Sequence, residues 1–200
     1  QPLVQVEKTT GARRGVARRV LEDEEFELVV VRLPDAGEDF LEQPVGTLWA
    51  AGYGAGLVRI DLASQRTKRY LPDPRRADSL SVAQVVTLAG DGDRLVYVGT
   101  ENGGLDVLDV PSERFAHFRP DRIDPRSLGS ASIWALHRDE QGLVWAGANG
   151  FGVSWLSPLA QRFEAIRAGP DGLSDPRVTS IAEGEDSRIW VGTDGGGLHV

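Results

Sequence analysis

Leu95-Val96-Tyr97-Val98-Gly99-Thr100-Glu101-Asn102-Gly103-Gly104-Leu105-Asp106-Val107-Leu108-Asp109-Val110 decides the reading of this chain. Leu95 to Val98 is a short apolar run, bounded by Asp93 and Gly99. A glycine-rich segment follows, and Leu105 to Val110 then alternates in part. That order reads as strand, tight turn, strand, with glycine supplying the positive φ that such turns require. Upstream, Val85-Val86-Thr87-Leu88 is another β-branched run, and downstream Arg114-Phe115-Ala116-His117-Phe118-Arg119 is ended by Pro120. Four short antiparallel strands separated by Gly, Asp and Pro clusters result. No window sustains the three-and-four apolar spacing of a helix.

The same pattern recurs along the chain. Trp49, Tyr97, Trp145 and Trp190 stand 48, 48 and 45 residues apart, each followed eight positions on by Leu57, Leu105, Val153 or Leu198. Arg66, Arg114 and Arg162 hold one further column, and Pro72-Asp73, Pro120-Asp121 and Pro170-Asp171 another. Leu80, Leu128 and Leu173 are each followed by an aliphatic residue at +5 (Val85, Ile133, Val178) and at +8 (Leu88, Leu136, Ile181). Four strands in such a period form a β-propeller blade. A small twisted sheet cannot bury both faces alone, so neighbouring blades must stack. The expected fold is therefore all-β, a β-propeller of four-stranded antiparallel blades with about four blades present, part of a larger propeller.

Lettering the strands A to D within a blade, blades fall near 40–71, 84–119 and 132–167, with a partial blade at 178–200. The A strand of the first blade, near Phe40-Leu41, is weakly patterned. Residues 1–45 are expected to be a degenerate or partial N-terminal blade, and 46–200 the propeller repeats. Residues 3–6 or 26–32 are candidates to complete the last sheet. The recurring aromatic at the end of strand B is expected to wedge between blades, so Trp145→Ala should cost roughly 3–5 kcal/mol.

The chain has 200 residues and 21.7 kDa, 40% of them hydrophobic and 26% charged, an ordinary globular balance. Its net charge of −8 argues against nucleic acid as a partner, because phosphate binding rests on Lys and Arg. Arg13, Arg14, Arg18 and Arg19 precede Glu22, Asp23, Glu24 and Glu25, and read as solvated segments that partly neutralise each other. The absence of cysteine removes disulfides, thiolate nucleophiles and zinc–thiolate sites, and fits an exported bacterial domain. No apolar stretch is long enough for a membrane helix. With no methionine and no signal-type opening, the sequence is expected to be a processed or excised piece of a longer chain.

Asp171-Gly172-Leu173-Ser174-Asp175-Pro176-Arg177-Val178-Thr179-Ser180-Ile181, followed by Ser187-Arg188-Ile189-Trp190-Val191-Gly192-Thr193-Asp194-Gly195-Gly196-Gly197-Leu198, resembles the two-component regulator propeller repeat. The third copy resembles it too, through Arg126-Ser127-Leu128, Ile133-Trp134-Ala135-Leu136 and Asp139-Glu140-Gln141-Gly142-Leu143-Val144-Trp145-Ala146-Gly147. The likeness covers residues 46–200 well. It implies the exported sensor region of a bacterial hybrid histidine kinase or diguanylate cyclase: a non-catalytic, periplasmic ligand reader, often of saccharide-type signals, in an inner-membrane receptor. The chain has fewer repeats than one such propeller, and carries no β-sandwich, membrane helix or output-domain signature. Membrane association is then expected only through a parent receptor.

No catalytic residue, metal site or cofactor is expected. The glycine clusters are not followed by the Lys and helix of a phosphate loop, and their recurrence marks hairpins. His117, His137 and His199 share no short spacing. The Arg66, Arg114, Arg162 column resembles the carboxylate-binding clusters of some propeller glycosidases, yet its place at the start of each D strand suits a surface. The Asp139 to Trp145 stretch resembles a sialidase-type Asp-box but has two residues between Asp and Gly. The B–C turns and D–A loops share one face of a propeller, where rigid strands present variable loops. Tyr53, Glu101, Asn102, Asn149, Phe151 and Asp194, on B–C turns, are therefore the candidate ligand-binding residues, flanked by Arg75, Arg76, Arg122, Arg126 and Arg177 on D–A loops. A homodimer or strand-edge self-association is a further expectation. Two alternatives stay open: a propeller lyase or glycosidase, and a protein-interaction scaffold.

Overall fold

The computed structural model describes residues 4–8, 15–20, 26–31, 37–157 and 162–200, with side chains from residue 39 onward. Among the described residues every regular element is a strand. Strands β1 (Val4–Lys8), β2 (Gly15–Val20) and β3 (Phe26–Val31) pair in that order as a three-stranded antiparallel sheet. The first blade is β4 (Gly37–Glu42), β5 (Thr47–Gly52), β6 (Gly56–Asp61) and β7 (Thr67–Tyr70). The second is β8 (Val85–Asp91), β9 (Leu95–Thr100), β10 (Leu105–Asp109) and β11 (Arg114–Phe118). The third is β12 (Ile133–Arg138), β13 (Val144–Ala148), β14 (Gly152–Ser157) and β15 (Arg162–Arg167). The last is three-stranded: β16 (Val178–Glu183), β17 (Ile189–Thr193) and β18 (Gly197–His199). The side chains of the charged stretch 13–25 lie outside the described residues.

One expectation is corrected. Among the described residues the strands at 4–8 and 26–31 do not complete the last sheet; each pairs with β2 instead, and β18 pairs with β17. The A strand of the first blade stands where it is expected despite its weak pattern, with Phe40 opposite Ala50 and Leu41 opposite Trp49.

The inner strands hold the blades together. β8 lies against β4 on one side and β12 on the other, and β12 against β16. Between them the recurring columns form one seam per blade pair. Trp49, Leu57 and Tyr70 of the first blade meet Leu80, Val85, Leu88, Val96 and Phe115. Tyr97 and Leu105 of the second meet Leu128, Ile133, Val144, Ala146 and Phe163, with Phe118 packed alongside. Burial of the ring and its aliphatic neighbours stabilises the seam, because apolar area removed from water contributes about 25 cal/mol per Å². Both of these seams are capped from the outer strand of the following blade. Phe115 meets Tyr70 edge-on at 5.8 Å, and Phe163 meets Phe118 at 5.6 Å.

The third seam differs, and corrects the wedge expectation for Trp145. Trp49 and Tyr97 are 0% and 1% exposed, whereas Trp145 is only half-buried. Its facing sheet has three described strands, so no outer-strand aromatic caps it. Trp145 stacks instead on Trp155 of its own sheet at 5.1 Å, and its indole N–H donates to Asp139 Oδ2 at 2.8 Å.

The connections that follow β7 and β11 run along the outer strand of the next blade. The Phe115 N–H donates to the Asp78 carbonyl at 2.9 Å, and that of Phe163 to the Arg126 carbonyl at 3.0 Å. His117 adds a second tie, with Nε2 3.0 Å from the Ala77 carbonyl and Nδ1 2.7 Å from Oδ1 of the buried Asp106. Asp106 Oδ2 accepts the Ser81 N–H at 2.7 Å, so this one carboxylate is shared between strand and connection.

Candidate functional site: the B–C turn face

Four of the candidate residues occupy one column. Tyr53, Glu101, Asn149 and Asp194 each stand four positions after the recurring aromatic, at or just past the end of the second strand. The fold fixes their backbones. Glu101 N–H donates to the Gln84 carbonyl at 3.0 Å, Asn149 N–H to Ser132 at 3.1 Å, and Asp194 N–H to Arg177 at 3.0 Å. Tyr53 bridges to Gln84, in the lead-in of the following blade. The turns also reach across blades: Gly54 and Gly56 both donate to the Ala83 carbonyl at 3.0 Å, and Gly104 donates to Ala131 at 2.7 Å. Gly56 and Gly104 have φ of +77° and +89°, and a Cβ on either would collide with the carbonyl of Tyr70 or Phe118, which explains glycine there. Turn and lead-in are thus one hydrogen-bonded layer on a rigid sheet.

The side chains divide into those already engaged and those free to meet a ligand. Tyr53 and Glu101, one repeat apart, are brought together, the phenol donating to Glu101 Oε2. That carboxylate holds the exposed Tyr53 phenol above its ordinary pKa, first by the hydrogen bond and then by its charge. Asp194 is ion-paired with Arg177 Nη1 at 2.7 Å, and Arg177 also reaches Asp175 Oδ2 at 3.4 Å. Those contacts raise the Arg177 pKa, and the hydrogen bonds from Arg177 lower that of Asp175. Asn149 is exposed. Asn102 takes φ of +65°, its N–H donating to Ser132 Oγ at 3.2 Å, so its backbone makes the turn. Phe151 is not part of this exposed group. It is partly buried against the second seam, lies over Gly129 where a Cβ would collide with the ring, and has the Arg167 guanidinium 5.0 Å from its centroid.

The remaining candidates are placed as follows. Arg75, Arg76, Arg122, Arg126 and Arg177 are all exposed on the connections. Arg66, Arg114 and Arg162 are exposed at the outer edge, where Arg114 pairs with Asp78 at 3.4 Å. The three histidines do not converge: His117 ties down the first connection, His137 faces Glu183 at 3.5 Å, and His199 lies 2.9 Å from Ser174 Oγ. The Asp139 stretch organises the β12–β13 turn, at the opposite end of those strands from the B–C turns. Asp139 Oδ1 accepts the Leu143 N–H at 2.8 Å, and Gly142 takes φ of +86°. Sequence reasoning missed the Tyr53–Glu101 pair and the exposure of Trp134. The first was signalled by the shared column; the second has only an aromatic where Val86 and Thr179 stand in sister blades.

No curated protein matches this sequence. Among solved structures, the chain is similar to the extracellular domain of BT3049, described as a hybrid two component system of B. thetaiotaomicron, at 20% identity and TM-score 0.70, over 98% of this chain and 28% of that one. It is also similar to the WD40 β-propeller domain of Doa1, at 11% identity and TM-score 0.63, over 94% of this chain and 60% of that one. The computationally designed Ika8 protein gives 12% identity and TM-score 0.62, over 98% and 57%. At these identities the likeness establishes the propeller fold, and the chain spans less than a third of the length of the BT3049 domain. Residues 172–195 match the two component regulator propeller family. The chain is thus a propeller-fold protein carrying a two-component regulator propeller repeat at residues 172–195, and its preceding blades keep the same columns.

Proposed function

We propose that this chain is part of a non-catalytic, extracytoplasmic ligand-reading propeller of a bacterial signal-transduction receptor, with the B–C turn face as its reading surface. The observation that carries the proposal is the column Tyr53, Glu101, Asn149 and Asp194, four polar positions presented on backbone locked by hydrogen bonds to the lead-in strands. A preorganised polar surface with an exposed phenol suits an uncharged, hydroxyl-rich ligand, which can accept and donate along the column. The regulator repeat at residues 172–195 and the extracellular origin of the BT3049 domain support the receptor setting and a periplasmic location. Signalling would follow from a ligand that binds two arrangements of the parent receptor with different affinity.

Thermal unfolding of the purified chain against xylo-, manno-, cello- and malto-hexaoses tests this. A ligand at one hundred times its Kd should stabilise the fold by roughly 2.7 kcal/mol, and Asn149→Ala should reduce the shift. Release of shorter sugars from any hexaose would replace the reading with that of an enzyme. No shift with any of the four would overturn the saccharide assignment.

A further inference from the structure

Every inner strand carries the same irregularity. Pairing skips a residue between Gly37 and Asp39, between Val85 and Thr87, between Ile133 and Ala135, and between Val178 and Ser180. Each skip is a β-bulge, a device that re-aims one side chain out of the ladder. The residues passed over are Glu38, Val86, Trp134 and Thr179. Ile133 before Trp134 is 0% exposed and Ala135 after it is buried, yet Trp134 is 41% exposed. The indole thus stands in water on the open face of the strand, where it lines a cleft.

What surrounds Trp134 defines the contact. A cleft of about 270 Å³ runs across the inner strands of all four blades, with Asp39, Thr87, Trp134, Thr179 and Ser180 in its wall. Asp39 is fixed: Oδ2 accepts the Leu88 N–H at 2.8 Å and the Thr87 hydroxyl at 3.1 Å, and Oδ1 accepts the Phe40 N–H at 2.8 Å. Among the described residues neither Lys nor Arg lines the cleft, which disfavours phosphate, sulfate and carboxylate ligands. The wall offers one flat apolar plate, two exposed hydroxyl residues and a held carboxylate. We propose that this inner-strand cleft is a second recognition subsite, with Trp134 stacking on the C–H face of a neutral sugar ring and Ser180, Thr179 and Asp39 meeting its hydroxyls. The subsite rests on the ligand-reading role proposed above and lies near the turn-face end of the inner strands, so one oligosaccharide could meet both surfaces.

Calorimetric titration of the intact chain with the same four hexaoses, alongside Trp134→Ala, Trp134→Phe and Ser180→Ala, tests it. For whichever hexaose binds, Trp134→Ala should weaken binding at least about tenfold, one 1.4 kcal/mol step. Trp134→Phe should fall between, and the unliganded melting temperature of Trp134→Ala should stay near that of the parent chain. Equal affinity in parent and Trp134→Ala would overturn the subsite and leave the reader role standing. A large fall in unliganded stability, with Ser180→Ala binding unchanged, would assign Trp134 to packing and overturn it also. Binding of none of the hexaoses by the parent chain would remove the saccharide assignment and this subsite together.

Discussion

Trp49 and Trp145 stand in one sequence column, yet only the first is sealed. Trp49 lies in a seam that Phe115 and Tyr70 close from outside, and its indole N–H donates to the Gln43 carbonyl at 2.8 Å. Trp145 has the corresponding strand position and the same kind of indole bond, here to Asp139, but faces a three-stranded sheet. The repeat therefore specifies where the ring starts, while its burial depends on the outer strand of the following blade. A blade of this type is stabilised from its neighbour as much as from within.

That contrast can be broken by mutation. Trp49→Ala should cost about 3–5 kcal/mol as a large-to-small change in a closed core, and Trp145→Ala roughly 2 kcal/mol, measured by urea denaturation. Equal losses would mean that the outer strand contributes nothing to the seam.

Alkaline titration probes the same seam next. Burial, then the nearby Glu113 charge, pushes the Tyr70 phenol from 10.0 up to about 12. The unfolded phenol ionises first, so Tyr70 contributes stability that is intact below pH 10 and lost as pH rises through about 12. The loss should approach about 3 kcal/mol, at 1.36 kcal/mol per pKa unit. Tyr70→Phe should remove this part of the alkaline fall; an unchanged pH profile in that variant would place the phenol in water.

The smallest effect belongs to the exposed ion pair across the seam, Lys68 with Glu113. The Lys68 hydrogen bond holds the Glu113 carboxyl below its ordinary 4.5. Its contribution is present above that value and lost as pH falls through the depressed one. Solvent screening keeps the pair under about 1 kcal/mol, so Lys68→Ala should shift the midpoint slightly and less in high salt. A loss above 2 kcal/mol would show a pair shielded from water.

The wheel was legible because packing repeats. Each seam needs a large ring, an aliphatic residue eight positions on and a β-branched residue opposite, so Trp49, Tyr97 and Trp145 recur in register. The strand at Gly37–Glu42 was faint because Gly37, Glu38 and Asp39 carry no apolar signal; pairing with β5, and the Asp39 bond to the Leu88 N–H, hold it in place. The turn face was half legible. Its column could be counted, but the meeting of Tyr53 with Glu101 arises only when adjacent blades set equal positions side by side. Phe151 stands on the turn as read, and its packing against the second seam was hidden because it depends on the room that Gly129 leaves for its ring. The bulges leave no mark in the letters, since Glu, Val, Trp and Thr can all be the extra residue.

The connections laid along the outer strands have a bearing on crowding. An outer strand in an open array is a template that any extended peptide could join. In the second blade the Phe115 N–H is already taken by Asp78, and His117 fastens the adjoining Ala77 over the same border; the third blade repeats the first of these with Arg126. A foreign strand would have to peel that cover away before it could add a rung. The rim of these two blades is thus guarded by the chain itself, and a concentrated solution has less purchase there for fibrous growth.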